Sequence, residues 1–399
     1  MNSASPNRAY SAAAPLRRPL HVFVLIDALG WEYVKGAPFL DVELPYRQPL
    51  KTVLGYSSGA IPTILTGLKP SQTGHWNLLY YDPQGSPFRW LRWVSFLPRS
   101  MSDNRFARKL IKELGRRVMG MGPLFECAVK PSLLPWFNWV EKRNIYAEDG
   151  IPNSTSIFDL LKRRRIPHRV YSYHRFVDEE ILRQACRDID VGEASFFFLY
   201  LSEVDRFLHG QCSDTQAVNQ QLGWYEQRLR EVFHAACGRN PDASFTIISD
   251  HGMTPVRHHY DLVEKIERLG FQMPQHYLAV YDSTMARYWF FDDAARAAIM
   301  AELGRTQCGH VLEDRELEDL GILFRDRRYG EVVFLLEPGW LLASSDFNGT
   351  QWRPAGMHGY HPSDAYSDAV FLSNRSPRCQ MRTIADIFTC MEEVISANS

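Results

Sequence analysis

Three apolar segments of this chain end on side chains that can bind metal ions, and this feature restricts the fold more than any other. Phe245-Thr-Ile-Ile continues into Ser-Asp250-His251-Gly252, the segment His21–Ile26 ends at Asp27, and Phe196–Leu201 leads to Asp205. Short apolar segments of this kind are typical of strands buried on both faces of a parallel sheet. Such sheets bind ligands at the carboxyl ends of their strands, so we expect the three carboxylates to lie together there.

The remaining chain alternates between strand and helix patterns. Besides Val22–Ile26, Phe196–Leu201 and Phe245–Ile248, strands are predicted at Glu331–Leu335 and Ala369–Leu372. Helices are predicted at Ser156–Arg165, Asp178–Arg187, Asp214–Ala236, Asp292–Leu303 and Thr383–Ile395, with Asp214 as an N-cap. The alternation predicts an α/β fold with a mostly parallel central sheet and helices on both faces.

The length of 399 residues is large for a single hydrophobic core, so two domains, or one large domain with insertions, are expected. We assign the core to residues 20–83, 151–254 and 340–399. It is interrupted by an aromatic and basic insertion, residues 84–150, and by a small α/β cap, residues 255–339, which we expect to be a compact lid. Residues 1–19 are rich in Ser, Ala and Pro and lack the apolar region of a signal peptide, so we expect a disordered lead-in.

Charge and cysteine content restrict the partners and the compartment. The net charge of -1 gives no overall attraction to nucleic acid, so no nucleic-acid polymer is expected as a partner. No apolar segment approaches the roughly 20 residues of a membrane helix. The seven cysteines are odd in number and include no C-x-x-C pair, which favours reduced thiols and a cytoplasmic location. The sequence contains no signal for the oligomeric state.

Carboxylates gathered at one sheet edge need a compensating positive charge, and a divalent cation supplies it. His209 follows Asp205 by four residues, so both side chains face the same way on a helical turn and can chelate one ion. His358 stands beside a glycine late in the chain. Mixed Asp and His ligands suit Zn²⁺ best, with Mn²⁺ as the alternative. Each feature alone has an ordinary explanation as a turn residue; their coincidence at several strand ends predicts two metal ions.

A candidate nucleophile precedes an apolar helical segment. In Gly55-Tyr-Ser57-Ser58-Gly59, the two serines stand at the start of a segment that ends at Thr66-Gly67. A hydroxyl at a helix N-terminus lies where the free N–H groups favour a bound phosphate, and metal ligation would lower its pKa. The alternative is a simple N-cap.

The order of these features resembles the alkaline phosphatase superfamily, and within it the type I phosphodiesterase / nucleotide pyrophosphatase family. That family has a strand-terminal Asp, a Thr or Ser nucleophile ten residues before a Thr-Gly, then D-x-x-x-H, Asp-His and a late His in H-G-Y. The spacing to Gly67 points to Ser57 rather than Ser58. Further matches are Thr66-Gly-Leu-Lys-Pro70, Tyr81-Asp82-Pro83 and Glu337-Pro-Gly-Trp340.

The resemblance implies two metal sites and a reaction. One ion would be held by Asp205, His209 and His358, and the other by Asp27, Asp250, His251 and the Ser57 oxygen. The implied reaction is a two-metal phosphoryl transfer through a phosphoryl-serine, on a nucleotide-like or other small phosphodiester.

Two departures leave the substrate open. Ala60 stands where the family often has Asn, and Asn77 lies one residue away from another such position. We expect Asn77 and His361 as substrate contacts. The alternatives are a phosphomonoesterase or a phosphoryl or phosphoglycerol transferase on the same site, and a binding protein without catalysis.

The insertion 84–150 carries twelve Lys and Arg against six Asp and Glu, together with several Trp residues. Because it follows the nucleophile helix, we expect it to overhang the site. It would grip a phosphate-bearing substrate, contact a membrane surface, or pack as an accessory subdomain.

Overall fold

The computed structural model describes residues 19–94, 129–172, 176–346 and 352–396. The strands in these residues are β1 (His21–Ile26), β2 (Tyr46–Leu50), β3 (Leu79–Tyr81), β4 (Phe137–Trp139), β5 (His168–Tyr171), β6 (Phe196–Leu201), β7 (Ser244–Ile248), β8 (Thr254–Pro255), β9 (His258–Tyr260), β10 (Tyr277–Asp282), β11 (Met285–Phe290), β12 (Gly309–Val311), β13 (Val332–Leu336), β14 (Trp340–Leu342), β15 (Gly356–Met357) and β16 (Ala369–Ser373).

The α-helices in the same residues are α1 (Trp31–Val34), α2 (Ser57–Thr66), α3 (Pro70–Thr73), α4 (Ile157–Arg163), α5 (Asp178–Val191), α6 (Glu203–Gln211), α7 (Thr215–Arg239), α8 (Leu262–Glu267), α9 (Asp293–Arg305), α10 (Asp314–Asp319) and α11 (Asp386–Ser396). Short 3₁₀-helices lie at Arg89–Val94, Leu134–Trp136 and Ala365–Ser367. None of the described helices has both the length and the apolar character needed to cross a membrane.

A six-stranded sheet with the order β2-β16-β7-β1-β6-β5 forms the centre of the molecule. β1 pairs in parallel with β6 and β7, and β5 pairs in parallel with β6. β16 is the exception, because it runs antiparallel to both β7 and β2. The prediction of a mostly parallel sheet is confirmed.

Helices cover both faces of this sheet, as predicted. In β1, Val22, Val24 and Ile26 face a cluster formed with α5 and α7, whereas Phe23 and Leu25 face a second cluster formed with α2, α4 and α11. A strand with apolar side chains on both faces cannot lie at the surface, so β1 takes the centre of the sheet. The predicted N-cap of α7 is present, since the Asp214 carboxylate accepts a hydrogen bond from Ala217 N at 3.0 Å.

The cap contains a second, antiparallel sheet with the order β10-β11-β13-β12. Alternate side chains of this sheet pack against α8 and α9 on one face. On the other face, Met285, Val333 and Leu335 pack against Leu54 and Trp76 of the core. The cap therefore shares a hydrophobic cluster with the core.

The described ends of the insertion are residues 84–94 and 129–150. Residues up to Trp139 pack on the cap sheet, whereas Ile145 and Tyr146 pack on the central sheet. β4 pairs with β3, and the buried Trp139 lies in one cluster with Leu278 and Trp289 of the cap. The Arg92 guanidinium lies 5.3 Å from the Trp136 ring. These contacts agree with a packed accessory subdomain. Residues 95–128, with most of the basic side chains of the insertion, and residues 1–18 of the expected lead-in lie outside the described residues.

Candidate active site

The carboxyl ends of the parallel strands bring three predicted ligands together. Asp27 follows β1, and Asp250 and His251 follow the neighbouring β7. One ligand atom of each lies within 4.8 Å of the others. His251 Nε2 is 3.5 Å from Asp27 Oδ1 and 3.2 Å from Asp250 Oδ2. We call this group the buried triad, because the relative exposure of all three residues is 5% or less.

A second group of predicted ligands forms beside the first. Asp205 and His209 lie on successive turns of α6, and His358 follows β15. Asp205 Oδ1 is 3.4 Å from His209 Nε2 and 3.5 Å from His358 Nε2. We call this group the open triad, because the Asp205 and His209 side chains are 24% and 16% exposed. The two triads adjoin, since the His251 and His358 rings stack with their centroids 3.9 Å apart.

Ser57 is the first residue of α2, and its hydroxyl reaches the buried triad. Ser57 Oγ lies 3.0 Å from His251 Nε2. The neighbouring Ser58 points elsewhere, because its hydroxyl donates a hydrogen bond to Trp76 O at 2.7 Å. The chain enters the helix through Gly55, whose φ of 124° and proximity to the Trp76 indole leave no space for a side chain.

Unpaired polar atoms mark both triads. Among the described residues, Asp27 Oδ1, Asp250 Oδ2 and Asp205 Oδ1 are buried without a hydrogen-bond partner. Each belongs to a carboxylate in a triad. A buried polar atom without a partner is costly, so a set of three converging carboxylate oxygens fits divalent cations that would bind them.

Two of the three histidines, His251 and His209, have a ring orientation that suits metal binding through Nε2. His251 Nδ1 lies 2.9 Å from Gly252 O, and His209 Nδ1 lies 2.9 Å from Gly356 O. A carbonyl oxygen only accepts, so the ring proton is on Nδ1 and the lone pair on Nε2 faces the triad.

The carboxylates are oriented in the same way. Tyr200 donates its hydroxyl proton to Asp27 Oδ2, which leaves Oδ1 free. Asp250 Oδ1 accepts from the backbone N–H groups of Ala28 and His251, at 3.2 and 3.1 Å, which leaves Oδ2 free. Ala28 has a φ of 60°, a left-handed conformation that is unusual for alanine and turns the chain directly after Asp27.

The electrostatics of the cluster favour an added positive charge. Burial and the carboxylates of Asp250 and Asp205 raise the pKa of Asp27 well above its usual range. Burial and His251 hold the pKa of His358 well below its usual range. Burial alone would raise the pKa of Asp205, but His209, His358 and His251 together lower it. A cation in each triad would stabilise the ionised carboxylates and the neutral imidazoles.

Three further residues that the sequence did not identify as important support the site. The buried Asp178 accepts hydrogen bonds from Ser202 N and Glu203 N, both at 3.0 Å, and from the Tyr225 hydroxyl at 2.5 Å. Asp178 thereby caps α6, the helix of the open triad, from the start of α5. The other two residues are Tyr225, which donates to Asp178, and Tyr200, which is described above with Asp27. A tyrosine within an apolar strand and an acidic residue at a helix start have no sequence signature that distinguishes these roles.

The two predicted substrate contacts lie outside the triads. Asn77 is fully buried, and its amide donates to Met285 Sδ at 3.5 Å. His361 Nδ1 lies 2.7 Å from Ser363 Oγ, and its Nε2 lies 3.9 Å from Glu316 of the cap. The backbone N–H of Glu203 bonds to Asp178, and its side chain is partly exposed.

Comparisons with known proteins agree with this geometry. The family model for type I phosphodiesterase / nucleotide pyrophosphatase matches residues 22–361. Among curated proteins, none matches the sequence significantly. Solved structures with a similar fold include murine and human ectonucleotide pyrophosphatase / phosphodiesterase 5, at 15% and 14% identity. Each of these two comparisons covers 95% of both chains with a TM-score of 0.66. An inactive variant of the murine protein in complex with AMP matches with a TM-score of 0.65.

The family model covers far more than half of the chain and includes all seven predicted ligands from Asp27 to His358. The fold is that of the alkaline phosphatase superfamily. The chain therefore belongs to the type I phosphodiesterase / nucleotide pyrophosphatase family and is a phosphoric ester hydrolase.

Proposed function

We propose that this chain is a two-metal phosphodiester hydrolase in which Ser57 is the nucleophile and a phosphoryl-serine is the intermediate. The observation that carries the proposal is the position of Ser57 Oγ, 3.0 Å from His251 Nε2, at the N-terminus of a helix and next to two adjoining ligand triads. Ser58 is the less suitable nucleophile, since its hydroxyl proton is engaged by Trp76 O.

The buried triad with Ser57 Oγ would hold one cation, and the open triad would hold the other. Each triad combines nitrogen and carboxylate ligands, which favours Zn²⁺, with Mn²⁺ as the alternative. When bound, the two cations would supply Lewis-acid stabilisation of the attacking and leaving oxygens.

The residues of the chain would bind and orient the phosphoryl group. The N-terminus of α2 would offer the backbone N–H groups of Ser57 and Ser58 to a phosphoryl oxygen, since those of Gly59 and Ala60 donate to Tyr56 O. The Ser57 Oγ–P bond forms as the bond from phosphorus to the leaving oxygen breaks. Water then cleaves the phosphoryl-serine and restores Ser57. The net reaction consumes one water and releases an alcohol and a phosphomonoester.

The partial exposure of the open triad indicates the side from which substrate enters. Asp205 and His209 are partly exposed, whereas the buried triad has almost no contact with solvent. The substrate would therefore approach over the open triad and reach Ser57 from that side. A nucleotide-like substrate is supported by the AMP complex of the murine relative.

The test is hydrolysis of a model diester, bis-p-nitrophenyl phosphate, by metal-loaded protein, with p-nitrophenyl phosphate as the monoester comparison. We expect faster turnover of the diester and loss of turnover in Ser57→Ala. Ser58→Ala is the matched comparison and should retain phosphoryl transfer. An inactive wild-type protein, or a Ser57→Ala variant with the wild-type rate, would contradict the proposal. Preference for the monoester would favour the phosphomonoesterase alternative.

A further inference from the structure

We propose that the hairpin turn between β10 and β11 in the cap is a positioning element of the active site. This turn, Asp282-Ser283-Thr284, is called the cap turn below. It holds the residue before Ser57 and the residue after His358 at the same time. The inference rests on the proposed function for its effect on turnover, but its effect on metal binding is independent of the substrate.

The first contact joins the cap turn to residues 54–58, which include Ser57 and are called the nucleophile segment below. Tyr56 immediately precedes Ser57, and its hydroxyl donates to Asp282 O at 2.7 Å. The Tyr56 oxygen also accepts a longer hydrogen bond from Thr284 N at 3.4 Å. The position of Ser57 is therefore tied to the cap.

The second contact joins the same turn to the open triad. Thr284 Oγ1 donates to Gly359 O at 2.9 Å, and Gly359 directly follows His358. The Tyr56 ring lies edge-on to the His358 ring, with centroids 5.4 Å apart. Packing is close here, because a Cβ on Gly359 would lie 2.9 Å from Thr284 Oγ1 and 3.0 Å from the Tyr56 ring.

The cap turn is itself held in place by a buried ion pair. Arg287 Nε and Nη2 lie 2.6 and 3.1 Å from the two oxygens of Asp282. The Arg287 side chain is fully buried and also donates to Leu79 O at 2.8 Å. A buried bidentate pair of this kind has a narrow geometry, so the turn has little freedom to shift.

Trp76 holds the nucleophile segment from the opposite side. Its Nε1 donates to Leu54 O at 2.6 Å, and its backbone oxygen accepts from Ser58 Oγ. Leu54 and Ser58 are thus anchored to the core, Tyr56 is anchored to the cap, and Ser57 Oγ faces His251. Reacting atoms must be placed to within about 1 Å, since small displacements of a catalytic group cause large losses of rate. The sequence predicted that the cap is a lid. At this turn the cap instead holds the nucleophile segment in position.

The experiment compares Tyr56→Phe and Thr284→Val with Tyr260→Phe as a matched control. Tyr260→Phe also removes a hydroxyl contact to a threonine, Thr306 Oγ1 at 2.9 Å. This contact lies within the cap and away from both triads. The readouts are kcat and KM for the model diester, Zn²⁺ affinity by chelator competition, and thermal unfolding.

We expect Tyr56→Phe to lower kcat about tenfold with little change in KM, the size expected for the loss of one positioning hydrogen bond. Thr284→Val should weaken binding of one Zn²⁺ about tenfold, because the backbone beside His358 loses its anchor. In the double variant, the losses of kcat and of Zn²⁺ affinity should each be smaller than the sum of the losses in the single variants. Both side chains act through the same turn. Tyr260→Phe should change neither kcat nor Zn²⁺ affinity.

A purely structural role would lower the unfolding temperature of all three variants and leave kcat and Zn²⁺ affinity of the folded protein unchanged. That result would overturn the inference. If the wild-type protein hydrolyses no ester, the proposed function fails, and the ratio of Zn²⁺ affinities between Thr284→Val and Tyr260→Phe still decides. Equal affinities would overturn the inference, and a weaker site in Thr284→Val would support it.

Discussion

At the scale of single residues, the site depends on neighbouring groups that bind one oxygen of a carboxylate and thereby leave its other oxygen free. The Tyr200 hydroxyl donates to Asp27 Oδ2, and two backbone N–H groups donate to Asp250 Oδ1. The free oxygens point to the same region as His251 Nε2. We therefore expect metal affinity to depend on residues that would not themselves bind a metal.

Tyr200→Phe should weaken metal binding to the buried triad by about 10–100-fold, the usual effect of losing a hydrogen bond to a metal ligand. The ring and its stacking on Tyr146 would remain, so the fold should persist. Tyr171→Phe is the control. Tyr171, on the neighbouring strand β5, also donates to an aspartate, Asp188 of α5, but lies away from both triads. Chelator competition measures the metal affinity of both variants. Equal metal affinities in the two would contradict the role of Tyr200.

Asp250→Asn should abolish turnover and stabilise the metal-free protein. The asparagine oxygen can still accept from Ala28 N and His251 N, while one of the buried carboxylate charges beside Asp27 is removed. We expect a higher unfolding temperature than wild type in EDTA and a smaller increase on adding Zn²⁺. Wild-type rates in this variant, or an unchanged response to Zn²⁺, would refute the assignment.

At the scale of elements, the helix that carries Asp205 and His209 is capped by a residue from another helix. α6 begins after Ser202, whose side chain makes no capping hydrogen bond in the described structure. The carboxylate of Asp178 takes that role for the first two free N–H groups. The orientation of the open triad therefore depends on packing between α5, α6 and β6.

Asp178→Ala should destabilise the protein by about 3 kcal/mol, since two partly buried N–H groups and the buried Tyr225 hydroxyl lose their acceptor. It should also weaken Zn²⁺ binding to the open triad. Asp214→Ala removes an exposed N-cap from α7 and should cost only about 1 kcal/mol without any change in Zn²⁺ affinity. Chemical unfolding and metal titration of the two variants separate capping of the site helix from capping in general.

At the scale of the whole molecule, the cap and the core share hydrophobic surface as well as the cap turn. Leu54 and Trp76 of the core pack in one cluster with Met285, Val333 and Leu335 of the cap. The buried Arg287 adds a hydrogen bond from the cap to Leu79 O. Shared burial of this kind links the stability of two sheets.

A cavity placed in the cap alone should therefore destabilise the core. Ile299→Ala removes a fully buried side chain between α9 and the cap sheet and should cost about 2–5 kcal/mol. Hydrogen exchange in peptides from β1 and β13, measured in mild denaturant, should accelerate together. Acceleration confined to β13 would show that the cap opens independently of the core.

The sequence was sufficient to predict which candidate ligands lie together, because their chemistry is local. Asp27 directly follows one apolar segment, and Asp250 and His251 follow another after a single serine. The parallel pairing of β1 with β7 then brings them to one edge. The four-residue spacing of Asp205 and His209 predicted their common helical face. The antiparallel direction of β16 was not predictable, since its apolar pattern is the same in either direction.

The sequence by itself determined which side chains are candidate metal ligands and the order of elements that carries them. Only the tertiary structure decided which partners orient those side chains: Tyr200 on Asp27, Asp178 on α6, and the cap turn on Tyr56 and Gly359. The physical reason is that a ligand is recognised by its own functional group. A positioning contact consists of two ordinary groups, separated here by 25 to 226 residues, that become partners only when the chain has folded.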